Sequence, residues 1–332
     1  MDLLKLDIWE VAEVCNVCSA TTYTKLFSVS QKRYVRCKKC QVVRLYDRLQ
    51  ENQLGHLYND YYSDGNLPEP ELNKQLANPT FAFRQQRLER FVPIADRSIF
   101  EIGCGDGNFL ATLKARGWQV DGLEYHANTV DFVKARHNIT VLAGDLLQIP
   151  LAPASLQVVG SYHVFEHLYH PTQWLQKVRL LLPPGGILHL QLPNFGGIDA
   201  RLTQSVWEGL VFPQHVYFYS PKTLEKLLIR EGFKPLSTVT YDPWHSPTFT
   251  FISYLNLLKS ALKRKSHFSL ESKICCAPNS AFDHGSAAAI QERTQPMREL
   301  AISSAMAFSA WVAKIESWLG FGNVIDVVAT AV

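Results

Sequence analysis

The sequence predicts a doubly wound α/β domain with a small cysteine-rich module ahead of it. Three observations carry that reading. Glycines 103, 105 and 107 join an apolar strand-like run to a helix-like one. Strand-like and helix-like runs then alternate as far as residue 192, the pattern of a parallel sheet with crossover helices. Two CxxC pairs, Cys15 with Cys18 and Cys37 with Cys40, stand before all of this.

The two pairs are separated by 18 residues. Each short loop offers two thiolates, and a hairpin over 23–35 brings the loops together around one tetrahedral zinc ion. This is the spacing of a zinc ribbon. Four thiolates close the coordination sphere, so the metal is read as structural. Lys32, Arg33, Arg36, Lys38, Lys39 and Arg44 surround the second pair. They read either as a phosphate-binding patch or as compensation for the negative zinc–thiolate centre. Residues 46–79 are rich in Tyr, Asn, Asp, Pro and Gly and read as a linker or lid, with Tyr58, Tyr61 and Tyr62 either closing over the site or packing onto the core. A helix over 80–92 follows, capped by Thr80 after Pro79.

The first strand of the main sheet runs over 99–102 and enters the glycines, and a helix leaves from Phe109. Such a loop lets backbone approach a ligand whose polar groups meet the helix N-terminus. A second strand, 118–123, ends at Glu124, where an acid can bind ribose hydroxyls. A third, 139–143, ends at Gly144, Asp145 and Leu146; a fourth spans 156–162 and a fifth 186–192. Helices are read at 123–137, 171–182 and 221–230, and a sixth strand at 234–241. The only good candidate for a seventh lies at 323–331, which makes 245–320 an insertion between strands six and seven.

A dinucleotide dehydrogenase fingerprint would need a small residue at 108 or at 110, where the chain has Asn108 and Leu110. The pattern from Glu101 to Gly107 instead resembles motif I of the class I S-adenosylmethionine-dependent methyltransferases. The resemblance continues through Glu124, the 144–146 turn, the segment 164–171 after strand four, the Leu-Pro-Pro-Gly-Gly turn at 182–186, and the 213–215, 218–224 and 231–233 motifs. It spans about residues 80–240 and implies a seven-stranded Rossmann-like sheet. It also implies that Glu101, Gly103, Gly105, Gly107, Glu124, Asp145 and Leu146 meet the cofactor, S-adenosylmethionine. Glu101 is read more as a brace of the loop, and Asp145 alternatively as a helix N-cap.

The Asp/Asn-Pro-Pro-aromatic tetrapeptide of amino-methylating relatives is absent after strand four. A zinc module ahead of such a core looks like the arrangement in sugar C-methyltransferases. It is also similar to that of an rRNA guanine methyltransferase. The acids Asp60, Asp64, Glu69 and Glu71 in the linker, opposed by Lys74 alone, favour a small polar molecule such as a sugar nucleotide over RNA. A module that kept the fold and lost its chemistry is the remaining alternative. For the acceptor's proton, His167 is the expected base, with Glu166 orienting substrate and His215 in reserve; the other reading of His167 is a helix-start cap. His163 is read as wall and His170 as a turn residue. Because Glu166 and His167 are neighbours, they are expected to point apart.

Composition sets outer limits. The chain has 332 residues, enough for about two domains, and 47% of them are hydrophobic, which excludes a disordered chain. With 33 Lys and Arg against 30 Asp and Glu, the net charge of +3 does not suit a dedicated nucleic-acid binder. The longest uncharged apolar stretches, 245–258 and 301–313, fall short of the ~20 residues that a spanning helix needs. Seven cysteines, with no secretory signal read at the N-terminus, point to reduced thiols in a cytoplasm. Cys275 and Cys276 read as ordinary thiols. The expected organisation is therefore a zinc ribbon at 1–45, a linker at 46–79, a core at 80–244, an insertion at 245–320, and a last strand at 321–332. The insertion mixes apolar residues with Lys259, Lys263, Arg264, Lys265 and His267, which makes it the expected contact for a membrane surface or a partner chain, or else a pair of helices on the core.

Overall fold

The computed structural model describes residues 8–53, 75–265 and 288–332. At the N-terminal end, β1 (Trp9–Val11) pairs with β5 (Asp47–Leu49). The hairpin of β2 (Tyr23–Val29) and β3 (Lys32–Cys37) turns at Ser30 and Gln31, both at positive φ, as a two-residue turn between right-twisted strands requires. β4 (Val43–Leu45) pairs with β3.

The ribbon is not closed within the first 45 residues. The two-residue strand β11 (Tyr217–Phe218), from far along the chain, joins β4 with Tyr217 opposite Arg44 and Phe218 opposite Val43. Cys15, Val17, Cys37 and Val42 share one buried cluster with Phe165, Tyr169 and Tyr217. Asn16 ties the contact, donating from its backbone to the Tyr217 hydroxyl at 3.2 Å and from its side chain to the Tyr169 carbonyl at 2.7 Å. A boundary drawn at 45 therefore divides a continuous sheet, and β5 falls inside the expected linker. The expected patch of six cations is also thinned. Arg44 is buried and donates to the carbonyls of Ala12, Glu13 and Val14. Arg33 pairs with Asp47, and the Lys32 ammonium stands 3.9 Å from the Trp9 ring centroid.

The main sheet has seven strands. In chain order they are β6 (Ser98–Ile102), β7 (Gln119–Glu124), β8 (Thr140–Ala143), β9 (Val158–Tyr162), β10 (Ile187–Pro193), β12 (Phe233–Val239) and β13 (Val324–Ala331). Their spatial order is β8-β7-β6-β9-β10-β13-β12. β6 through β10 run parallel, and β13 is antiparallel to both of its neighbours. The chain steps outward from β6 to β8 and then returns to place β9 on the other side of β6. That reversal opens a crevice at the carboxyl ends of β6 and β9, where ligands bind in open α/β sheets.

The helices are α1 (Pro79–Glu89), α2 (Asn108–Ala115), α3 (Ala127–His137), α4 (Pro171–Leu181), α5 (Ile198–Thr203), α6 (Pro221–Arg230), α7 (His245–Lys265) and α8 (Ala288–Trp318). The cap of α1 is Asn78, not the expected Thr80. The Asn78 side chain accepts from the amides of Thr80 and Phe81, and Pro79, which lacks an amide proton, occupies the first helical position. α7 and α8 pack on each other in the insertion. The insertion is anchored where buried Asp199 of α5 accepts from Thr250 at 2.8 Å and from Asn323 at 2.6 Å. Among the described residues, no helix is long and apolar enough to cross a membrane. Tyr58, Tyr61, Tyr62, His267, Cys275, Cys276 and the side chains of 263–265 lie outside the described residues.

α1 docks on the sheet through charge. Arg87 donates to Asp326 at 2.7 Å and to the hydroxyl and carbonyl of Ser237, and His189 stands 2.8 Å from the other Asp326 oxygen. Burial raises the Asp326 pKa, but His189 and Arg87 hold the carboxyl below its ordinary value. The carboxylate's stabilising contribution is thus present above its unfolded pKa near 4 and lost as the pH falls through the folded value. Arg87→Ala would strip a fully buried carboxylate of its permanently charged partner. It should cost about 3–5 kcal/mol in urea unfolding at neutral pH, and a loss under 1 kcal/mol would show that the pair is not integral to the fold.

Candidate active site

Three glycines follow β6, with φ of 73° at Gly103, 53° at Gly105 and 72° at Gly107. At Gly103 a Cβ would lie 2.4 Å from Cγ2 of Val164, so the loop after β9 rests directly on the glycine loop. The Gly105 amide donates to Glu124 Oε2 at 2.9 Å, and the Tyr125 amide to Oε1 at 2.8 Å. Glu124 is therefore a brace of the turn, and each of its oxygens keeps a second lone pair. Glu101 is buried at the end of β6 and its Oε2 has no hydrogen-bond partner. Burial pushes its carboxyl up to about 8. An orphaned acid beside a glycine loop fits a ligand that brings a cation.

Asp145 does not cap a helix. Its side chain accepts from the Leu147 amide at 3.0 Å in a turn, and it remains half-buried. The Leu146 side chain belongs to the core.

Across the crevice, a single 3-10 turn, Phe165–His167, presents Glu166 and His167. His215 comes from the loop before β11, which is tied to the turn by the Val216 amide donating to the Glu166 carbonyl at 2.9 Å. One ligating atom each from Glu166, His167 and His215 lie within 4.8 Å of one another. The expectation that neighbours on this turn point apart is corrected. A residue from a third segment lies where it can meet both. Glu166 is 1% exposed and His215 5%, while His167 is half-buried. Burial raises Glu166 to about 7 and lowers both histidines. The His215 Nδ1 lies 2.9 Å from the Gly209 carbonyl, which can only accept, so Nδ1 carries the proton and Nε2 the lone pair. His163 serves as wall, its ring 4.4 Å from that of His245, and His170 sits at the α4 start beside Glu51.

Behind the turn lies a group that the sequence reading missed. Arg84 donates twice to Gln191, at 2.9 and 2.6 Å, and lies 4.3 Å from the Tyr162 ring centroid; Gln191 in turn donates to Asp242 at 3.2 Å. The one available signal was the polar pair His189 and Gln191 at alternate positions of an apolar strand.

In the ribbon, the Sγ atoms of Cys15 and Cys40 are 3.7 Å apart and those of Cys18 and Cys37 3.5 Å, and all four cysteines cluster within 4.8 Å. Zinc with Zn–S bonds of about 2.3 Å sets tetrahedral S···S edges of roughly 3.8 Å. The donor set and spacing fit that ion.

Residues 74–238 match a family profile described as a methyltransferase domain. A curated relative from Mycolicibacterium smegmatis, named a probable S-adenosylmethionine-dependent methyltransferase, is 31% identical over 171 residues, covering 49% of this chain and 63% of the relative. A relative of the same description from Mycobacterium tuberculosis is 28% identical over 167 residues, covering 49% of this chain and 58% of the relative. The chain thus spans about three-fifths of the length of these relatives. A solved S-adenosylmethionine-dependent methyltransferase from Archaeoglobus fulgidus aligns with a TM-score of 0.47 at 15% identity, over 83% of this chain and 99% of that one.

Proposed function

We propose that residues 74–238, which match a methyltransferase-domain profile, form a class I S-adenosylmethionine-dependent methyltransferase domain, and that the chain uses it to methylate a small polar molecule. The observation that supports this reading is the contact of Val164 with Gly103, which brings the segment carrying Glu166 and His167 next to the glycine loop at the carboxyl edge of the sheet. When bound, S-adenosylmethionine supplies an electrophilic methyl group. The protein's part is to bind, orient and manage one proton. In this reading the backbone at Gly103, Gly105 and Gly107 passes the amino-acid part of the cofactor, and the orphaned Glu101 oxygen faces its ammonium. Glu124 takes the ribose, while Asp145 with the backbone at Leu146 borders the adenine. The acceptor's proton leaves at the cluster, on the side opened by His167.

A small acceptor is favoured over RNA because half of the six cations around the second knuckle are engaged by other groups of the protein. Arg44 is buried, Arg33 is paired with Asp47 and Lys32 lies on Trp9, which leaves Arg36, Lys38 and Lys39 exposed. The four cysteines are read as holding one structural zinc ion.

The cofactor assignment is tested by thermal shift. A ligand at 100 times its dissociation constant stabilises the folded state by about 2.7 kcal/mol, so S-adenosylhomocysteine should raise the melting temperature of the wild type. Gly105→Val should lose the shift, because a β-branched residue is strained at a φ of 53° and its amide would leave Glu124. A larger shift with NADH would overturn the cofactor assignment.

A further inference from the structure

The Glu166, His167 and His215 cluster has more acceptor capacity than the protein satisfies. Both Glu166 oxygens are buried and neither has a hydrogen-bond partner. Native folds pair about nine-tenths of such atoms or more. The nearest imidazole nitrogens, from His163 and His215, stand 3.5 and 3.8 Å from Oε1, too long for a hydrogen bond. The His215 contact is also of the wrong kind. With its Nδ1 proton donated to the Gly209 carbonyl, His215 turns an Nε2 lone pair toward Glu166, whose ionised form leaves two acceptors facing each other 3.8 Å apart. A cation between them resolves this, and two metal–ligand bonds of about 2.1 Å span 3.8 Å with a bend.

The support around the ligating atoms fits as well. A metal-ligating histidine ordinarily donates its other ring N–H to a carbonyl or carboxylate, which fixes the tautomer and the ring plane. His215 does this with Gly209, and His167 has backbone hydrogen-bond partners at both Gln214 and His163. We propose that Glu166, His167 and His215 bind a divalent first-row transition metal through one carboxylate oxygen and two imidazole nitrogens. Two nitrogen donors disfavour magnesium and calcium, and three protein ligands leave coordination positions open on the half-buried His167 side. This site is distinct from the closed four-cysteine one. It rests on reading the cluster as the acceptor end of the crevice; with a metal bound, the imidazole lone pairs would be spent on it, and the Lewis acid, not His167 itself, would ease loss of the acceptor's proton.

The test is equilibrium dialysis of the full chain against buffered zinc chloride, with bound zinc counted per chain. Glu166→Gln and His215→Ala should each bind about one equivalent less than the wild type. Glu166→Gln keeps the side-chain volume, and its melting shift with S-adenosylhomocysteine, read on the same samples, reports an intact fold. Equal zinc in the wild type and both variants overturns the proposal. Loss of the S-adenosylhomocysteine shift in the wild type would strike the methyltransferase reading instead, whatever the zinc count.

Discussion

Replacing Cys37 with serine should empty the ribbon of metal and loosen the acceptor side of the crevice together. Cys37 is fully buried at the end of β3, and its amide donates to the Val42 carbonyl at 3.0 Å. From there the connection is short: β3 pairs with β4, β4 with β11, and His215 lies two residues before β11. Structural zinc is worth about 10–16 kcal/mol of binding in isolated finger peptides, and that energy is folding energy. Loss of one thiolate should therefore destabilise this chain by several kcal/mol. Turnover should fall further than cofactor affinity, because the ribbon's strand pairing leads through β11 to His215, while the glycine loop follows β6, which pairs with no ribbon strand. Metal analysis, melting curves and S-adenosylhomocysteine binding on one preparation check all three. Metal-free protein with an unchanged melting profile would remove zinc from the account.

The parts of this arrangement that were legible in the sequence are those written in local patterns. Gly103, Gly105 and Gly107 declare a turn because only glycine adopts those φ values freely, and the strand that enters it is apolar over 99–102 apart from Glu101. The last strand was legible because 324–331 carries apolar residues on both faces, interrupted only by Asp326 and Thr330, as suits a strand covered on both sides. What was hidden depends on pairs distant in the chain. β11 is two residues long and has no periodicity to detect, yet it fuses the ribbon to the domain. Arg87 meets Asp326 across 239 positions, and neither residue's neighbours announce the other. The Glu166, His167 and His215 cluster lay in between. Its members were visible as residue types at the sheet's carboxyl edge, but their convergence follows from the Val216–Glu166 backbone bond, which no spacing encodes.

His167→Ala should cut turnover by ~10²–10⁴, the usual worth of a positioned group that manages a proton, while leaving S-adenosylhomocysteine affinity nearly unchanged. The separation follows from position. His167 stands on the wall after β9, and the polar groups assigned to the cofactor (Glu101, Glu124 and the glycine-loop amides) lie at the ends of β6 and β7. The contact between the two walls runs through Val164 and Gly103, which the substitution leaves in place. His167 is also the member of its cluster that an acceptor can reach, since Glu166 and His215 are buried behind it. A group that only capped the 3-10 turn would behave differently. Its removal would let the turn relax, move Val164 off Gly103, and weaken cofactor binding and rate in parallel. Single-turnover rates and S-adenosylhomocysteine titration on the same variant separate the two cases. Parallel losses would reassign His167 to structure, and normal turnover in His167→Ala with a loss in His215→Ala would move the proton chemistry to the loop before β11.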